Sequence, residues 1–486
     1  MSHSASTSTP HDSVAKKTVH GGIALGIRQV LVQGSRIVCG IFLARMLTPG
    51  QFGIYAIVLY LQSFFTAFGD AGLAASLIRQ QEEPEAEDYA AIFTVQQLLV
   101  CALSLALWLA APWAAAKYHL HPADAWLFRL VAISFLITSF MVIPLVRLER
   151  HIAFPQVAVI ESAQAIVFNV GAVLLAWRGW GGYAFAGALL LRAIAGTVLA
   201  NIISPWRMRW RWDWLRIRSH LAFGVPYQGI QLTSLLKDSV APIFIGLLLG
   251  MAQVGYVTWA MMIAAYPVLV LFVLQRLYMP AFARLQTEPV RLAALVENVL
   301  WATNAIAAPL AVLTLVLIVP ITNILYGSKW LVALPLFYFF WAANLFVPTA
   351  TPAMGLLNAF GKSKTSLAYA LIWMAGTWLV GAPLIYRYGA LGLAVATLVV
   401  QFSNFGLYRA AQRLVSFRIY AVITPVWAVA GTCGLLLYWM CLCLPPRHLS
   451  GLLVEASAGL LLYAAILYLL NRKKLQTVWR MLLQTR

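Results

Sequence analysis

Charge is what this chain has least of. Only 10% of its 486 residues are Asp, Glu, Lys or Arg, and 15 of them are acidic, where an ordinary soluble domain carries about 25% charged residues. A hydrophobic share of 62% and a mean hydropathy of +0.82 exceed what a water-soluble core could conceal. Long polar insertions are also missing: the longest, QQEEPEAED (80–88), is a short acidic loop with no room for a catalytic domain. No G-x-x-x-x-G-K-[ST] loop occurs, which excludes an ATP motor of that phosphate-cradling type. The five cysteines, Cys39, Cys101, Cys433, Cys441 and Cys443, lie in or beside apolar runs. Without His partners at zinc spacing they read as small hydrophobes, and neither a metal nor a cofactor is expected.

What is there are apolar runs of twenty residues and more, the length a helix needs to cross a bilayer. A β-barrel would instead show roughly ten-residue segments of alternating polarity. The expectation is an all-α polytopic membrane protein with fourteen transmembrane helices. They fall near 22–44, 52–75, 91–116, 124–146, 155–177, 181–203, 221–247, 253–274, 293–320, 333–356, 366–386, 391–412, 419–443 and 449–470. Residues 1–21 are polar and read as a disordered tail. The run that follows ends in ARMLTP without an A-x-A-like cleavage site, so a retained helix is expected there and not a signal peptide.

Lys and Arg in short loops are retained in the cytoplasm, which orients the chain. With the N-terminus inside, 23 of the 34 basic residues fall in inner tails and loops, 7 at the outer rim, and 4 within spans. An even number of spans and cytoplasmic termini follow; a bacterial inner-membrane location is what the family resemblance described below implies. In a soluble chain the net charge of +19 would suggest nucleic acid, but its placement here favours topology over that partner. The densest block, SPWRMRWRWDWLRIRSH (204–220), holds five arginines and four tryptophans. It reads as an inner loop whose arginines meet anionic headgroups while Trp206, Trp210, Trp212 and Trp214 sit at headgroup level.

Six spans precede that block and six follow it. LARMLTPGQFGIYAIV (43–58) resembles IGLLLGMAQVGYVTWA (245–260) at an offset of 202, with Leu47, Gln51 and Gly53 meeting Leu249, Gln253 and Gly255. The expectation is two six-helix lobes, 22–203 and 221–412, joined by the linker 204–220. A parallel pseudo-two-fold repeat would relate them around a central cavity. Residues 413–470 supply two extra C-terminal helices, and 471–486 a basic cytoplasmic tail.

Ionisable groups inside spans are costly and so carry information. On the first span, Gln29, Gln33 and Arg36 share a face flanked by Arg28, at 100° per residue. Gln231 and Asp238 share a face of the seventh, with Lys237 beside it; Arg192 lies mid-span in the sixth. Two readings compete: interhelical pairing, such as Glu161 with Arg192, or a hydrated, positively lined cavity that accepts anionic cargo. On the second reading Arg28, Arg36, Arg192, Lys237, Gln33 and Gln231 are candidates for substrate contact, and Asp70, Glu161 and Asp238 for ion or proton coupling. Trp259, Tyr266, Tyr338 and Trp341 are candidates to stack on sugar rings.

The segment FLARMLTPGQFGIYAIVLYLQSFFTAFGDAGLAASLIRQ (42–80) resembles the N-terminal signature of bacterial polysaccharide flippases. These form the polysaccharide transporter family of the multidrug/oligosaccharidyl-lipid/polysaccharide (MOP) superfamily. The match runs through Phe42, Leu43, Ala44, Arg45, Leu47, Pro49, Phe52, Gly53 and Tyr55, then Gly72, Leu73, Leu77, Ile78 and Arg79. LYMPAFARLQ (277–286), LYGSKW (325–330) and LLNAFGKSK (356–364) support it. The resemblance implies a non-enzymatic flippase that moves undecaprenyl-diphosphate-linked oligosaccharide by alternating access, feeding O-antigen, capsule or exopolysaccharide assembly. Membrane lipids, H⁺ or Na⁺, and polymerase or assembly proteins are its implied partners. A drug antiporter of the same superfamily is the alternative, although a positive cavity would repel its usual cationic cargo. A membrane-embedded glycosyltransferase or polymerase would need a larger outer loop than this chain has.

Overall fold

The computed structural model describes residues 28–29, 31–70, 72–80 and 82–484. The expected tail 1–21 and the start of the first expected span lie outside them. Among the described residues every regular element is helical. Thirteen helices or helix pairs are long and apolar enough to cross a membrane, and they correspond in order to the second through fourteenth expected spans. The described part of the first, α1 (residues 31–46), is helical too.

The chain divides into two compact units, Met1–Ala252 and Gln253–Arg486. In the first, α1 is followed by α2 (Pro49–Asp70), α3 (Leu73–Arg79), α4 (Ala86–Lys117), α5 (Ala125–Ser139), α6 (Val142–Arg150), α7 (Phe154–Trp177), α8 (Tyr183–Ile203), α9 (Trp214–Asp238) and the short α10 (Gly246–Leu249). The strongest neighbours are α7 with α8, α4 with α5, and α5 with α8. Small residues permit this: Ala184, Ala188, Ala193, Gly196 and Ala200 of α8 are all buried, and small side chains let helix backbones close up where lipid offers no hydrophobic drive. At Gly196 an added Cβ would stand 2.1 Å from the Gln164 amide of α7. The expected linker 204–220 and the whole of α9 belong to this unit, and α9 packs on α2, α3 and α4.

One glycine fixes that packing. Gly72 caps α3 at φ 74°, and a Cβ there would lie 2.2 Å from the carbonyl oxygen of Gly224 in α9. Two backbones meet where neither residue has a side chain, so α3 lies directly on α9. Around them Leu73, Leu77, Ile92, Phe93, Ile143 and Ile217 form a buried cluster.

The second unit holds α11 (Met251–Leu269), which begins two residues before its boundary, then α12 (Leu271–Arg284), α13 (Pro289–Ile321), α14 (Leu334–Asn344), α15 (Val347–Ala359), α16 (Ser363–Tyr388), α17 (Ala390–Gln401), α18 (Asn404–Gln412), α19 (Ile419–Cys443) and α20 (Leu449–Gln484). Its core joins α12, α13, α15, α18, α19 and α20 through Phe282, Leu300, Leu356, Leu407, Val426 and Tyr463. The two C-terminal helices therefore pack on α13. The expected tenth span is two helices, α14 and α15, with Pro348 at the start of the second, a position that suits a residue lacking an N–H.

Both units wear large apolar side chains on their outer faces: Leu109 is 70% exposed, Trp113 65%, Leu379 76% and Leu469 78%. Such a surface requires lipid as its solvent. The repeat at offset 202 has a structural counterpart as well. Helix α2 starts at Pro49 after the break at 47–48, and α11 starts at Met251 after Gly250, 202 residues later.

Candidate functional site

Unit 1 gathers polar side chains from four spanning helices into one cluster. Arg28, just before α1, forms an ion pair with Glu161 of α7, and its other terminal nitrogen donates to Gln29 at 3.3 Å. Further along, Asn169 of α7 donates to Ser35 of α1 at 2.9 Å. The contacts 28–161 and 35–169 advance in the same sense, so α1 and α7 run side by side in parallel. Arg192 of α8 donates to Gln62 of α2 at 3.4 Å and lies within electrostatic reach of Glu161 and Tyr55. The Tyr55 ring stacks on Phe185 at 4.6 Å, which fixes its hydroxyl beside the Arg36 guanidinium.

The cluster thus brings Arg28 and Arg192 to the Glu161 carboxylate, with Arg36 joined to it through Tyr55. Guanidinium stays charged at any physiological pH. Arg36 is exposed at the surface of its unit, and the Gln33 carbonyl oxygen is buried without a hydrogen-bond partner. A second carboxylate, Glu149 of α6, lies near Glu161; burial, reinforced by that neighbour, raises its pKa above the ordinary range.

Stability does not account for this arrangement. Placing one Arg at a helix centre costs about 2.5–3.5 kcal/mol on insertion scales. An interhelical hydrogen bond in a membrane protein returns about 0.6 kcal/mol on average. Buried ion pairs can often be replaced by apolar residues at no loss. Three such arginines are therefore a poor way to hold helices together.

The other expected residues lie elsewhere in the unit. Lys237 and Asp238 pair with each other at 3.0 Å at the end of α9, both well exposed. Gln231 belongs to the same helix, with its side chain outside the described residues. Asp70 ends α2 and accepts a hydrogen bond from the Ala74 N–H of α3 at 3.0 Å, a capping contact.

The sequence reading did not single out Tyr55, Asn169 or Glu455 as polar site residues. Tyr55 stood in the quoted signature as a motif letter only, and Asn169 lies eight residues after Glu161, two turns along the same face. Glu455 of α20 is buried in unit 2, where the Cys441 thiol donates to it at 3.0 Å; its i, i+3 and i+4 neighbours are apolar, so no polar stripe announced it. Trp259 is wholly buried, stacked on Trp330 at 5.4 Å and edge-on to Tyr326. Its faces are taken, which corrects the sugar-stacking expectation for that residue.

Two arginines of the basic block at 204–220 are held by acids of this unit, while Arg207, Arg209 and Arg218 remain exposed. Arg216 reaches Asp88 at 2.6 Å, Glu85 at 3.0 Å and Asp213 at 3.3 Å; Arg211 reaches Glu87 at 2.7 Å. Hydrogen bonds that Arg216 donates to Asp88 and Glu85 raise its pKa further above its ordinary value. Trp206 and Trp210 pack against Phe93 of α4 at 5.0 and 5.5 Å. Arg147 donates to the Pro205 carbonyl at 2.8 Å, and Arg150 to those of Gln80 and Glu82 at 2.9 Å. The short acidic loop and the arginine block are complementary parts of one clasp. Trp210, Trp212 and Trp214 all remain exposed. Behind the clasp lies a cleft of about 670 Å³ lined by Ser76, Arg79, Asp88, Arg216 and His220 among others. His220 meets the Ser76 hydroxyl at 2.9 Å, and burial lowers its pKa below the ordinary imidazole value.

These features define a polytopic helical membrane fold with charged groups inside its spans. The fold is shared with solved structures of the lipid II flippase MurJ in an inward closed conformation (TM-score 0.74, 13% identity, 94% of this chain and 99% of that one). It is also shared with an inward-facing multidrug resistance MATE family transporter of the MOP superfamily (TM-score 0.59, 13% identity, 81% and 98%). The chain belongs to the polysaccharide biosynthesis protein family, whose sequence model matches residues 42–335. Among curated relatives it is 23% identical over 340 residues to the succinoglycan biosynthesis transport protein ExoT of Rhizobium meliloti, covering 70% of this chain and 68% of that one. It is 21% identical over 405 residues to the lipopolysaccharide biosynthesis protein WzxC of Escherichia coli, covering 81% and 80%.

Proposed function

We propose that this protein flips undecaprenyl-diphosphate-linked oligosaccharide repeat units across the bacterial inner membrane, with both termini in the cytoplasm. The product would feed O-antigen, capsule or exopolysaccharide assembly. The observation that carries the reading is the excess of guanidinium over carboxylate among Arg28, Arg36, Arg192 and Glu161. A diphosphate is the ligand such an excess suits, because each planar fork can take two phosphate oxygens. The charged head would enter the positive site while the polyprenyl tail stays in lipid, so hydrated charge never crosses bare hydrocarbon. Gln33, with its unpaired oxygen, would contact sugar hydroxyls. Lys237 and Gln231 on α9 would supply a second contact.

Glu161 is the best placed coupling residue, since it shares the arginines with any incoming anion; Asp70 and Asp238 are secondary. Either H⁺ or Na⁺ would serve. Succinoglycan and lipopolysaccharide in the relatives' names support polymer precursors as cargo. A drug antiporter, the role of the MATE neighbours, fits less well because the site's net positive charge disfavours cations. The test is deletion of the gene followed by lipid extraction. Accumulated diphosphate-linked repeat units on the cytoplasmic leaflet, cleared by the restored gene, are expected. Normal surface polymer with no accumulated intermediate would overturn the reading.

A further inference from the structure

At the opposite rim of unit 1 from the clasp, one arginine is held by aromatic faces alone. The Arg129 guanidinium carbon lies 5.2 Å from the Trp108 ring centre and 5.0 Å from that of Trp126. The two indoles meet edge to face, 5.8 Å apart. Among the described residues no carboxylate pairs with Arg129, and its Nε is buried without a hydrogen-bond partner. The cation is fixed in position and lacks a counter-ion. Asp124, the nearest acid in sequence, is engaged by the His121 N–H at 3.0 Å.

Its depth matters. Arg129 is four residues into α5, about 6 Å from the helix end at 1.5 Å per residue, the level at which tryptophans and headgroups meet. Trp126 is 49% exposed and Trp113 on α4 65%, so this is an outward face of the unit. Lys117, also exposed, adds charge of the same sign to this rim. A positioned, partly desolvated cation is costly unless an anion completes it, and a phosphodiester can do so with two oxygens.

We infer that Trp108, Arg129 and Trp126 form a docking site for the headgroup phosphate of an anionic phospholipid of the phosphatidylglycerol type. A zwitterionic lipid carries its own cation beside the phosphate and gains less. The site lies apart from the cargo cluster and leaves transport chemistry untouched.

The test uses the full chain, purified and placed in phosphatidylcholine nanodiscs with or without phosphatidylglycerol. Retained lipid is read by native mass spectrometry and stability by thermal melting. Wild-type protein should retain phosphatidylglycerol and melt higher in its presence. Arg129→Gln should lose about ten-fold in retained lipid and lose the lipid-dependent stabilisation, with an unchanged melt in phosphatidylcholine. Arg129→Lys should fall between. Trp126→Leu keeps the cation and an apolar surface, so it reports on the clamp even if the glutamine variant misfolds; it too should retain less. Equal retention by Arg129→Gln or Trp126→Leu, or equal stabilisation of wild type by phosphatidylcholine, would overturn the inference. Stabilisation by inorganic phosphate alone, to the same degree, would also overturn it, because the site would then be a general anion site.

Discussion

Unit 1 uses arginine in two opposite ways. At the clasp, Arg211 and Arg216 meet Glu85, Glu87, Asp88 and Asp213, so acids outnumber guanidinia. In the spanning cluster, Arg28 pairs with Glu161, Arg192 lies within reach of it, and Arg36 sits beside Tyr55, so guanidinia outnumber acids. Where counter-ions are in excess, the arginine is a fastener. Where they are deficient, positive charge is left over in an expensive place, and an anion brought from outside has something to gain. The difference is one of balance, since the side chain is the same.

The comparison breaks most sharply in the cluster. Arg36→Gln together with Arg192→Gln should reduce polymer export by roughly a hundred-fold or more, taking two lost charge contacts at about 1.5–3 kcal/mol each. The amount of protein in the membrane should stay the same. Export at the parental level, measured by surface polymer in a deletion strain, would remove the cluster from the transport path. At the clasp the outcome should be reversed. Arg216→Ala leaves the buried Asp88 without its partner, so the solubilised protein should melt several degrees lower, and amides of α3 and the start of α9 should exchange faster. Export should fall only in proportion to the protein remaining.

The smallest effect is expected at His220, behind the clasp. Its folded-state pKa is lowered by burial, so the stability tied to its neutral form is complete above the ordinary value of 6.5. That stability is lost as pH falls through the lowered folded value. Amide exchange in α3 should therefore quicken modestly on going from pH 7.5 to pH 5. His220→Gln, which keeps a partner for Ser76 but cannot take up the proton, should flatten the response.

The expensive features of the chain were legible in its sequence. Apolar run length gave the order of the spans, because no soluble alternative tolerates it, and Glu161, Arg192 and Arg28 stood out as charges within those runs. The helix breaks were harder to see. The expected fourth span ran to 146, yet α5 ends at Ser139 and α6 carries Arg147 and Arg150 to the rim. Hydropathy averages over such a break. Which acid meets which arginine was not legible either. The loop 80–88 and the block 204–220 are over a hundred residues apart, and only the Gly72–Gly224 backbone approach brings α3, and the clasp beside it, into place. Tyr55 was hidden because a tyrosine in an apolar helix resembles packing until its hydroxyl is traced to Arg36.

The shared restart of α2 and α11 has a consequence of its own. Carried across by the same 202 residues, Tyr55 and Gln62 fall on Val257 and Ala264, both wholly enclosed. Positions that are polar in the first segment are inert filling in the second, so on the proposed function only the first would face cargo. The likeness between the two segments lies in where the helices begin, while their polar side chains are divided unequally. Engineering aimed at altered selectivity therefore has one half to redesign and another best left alone.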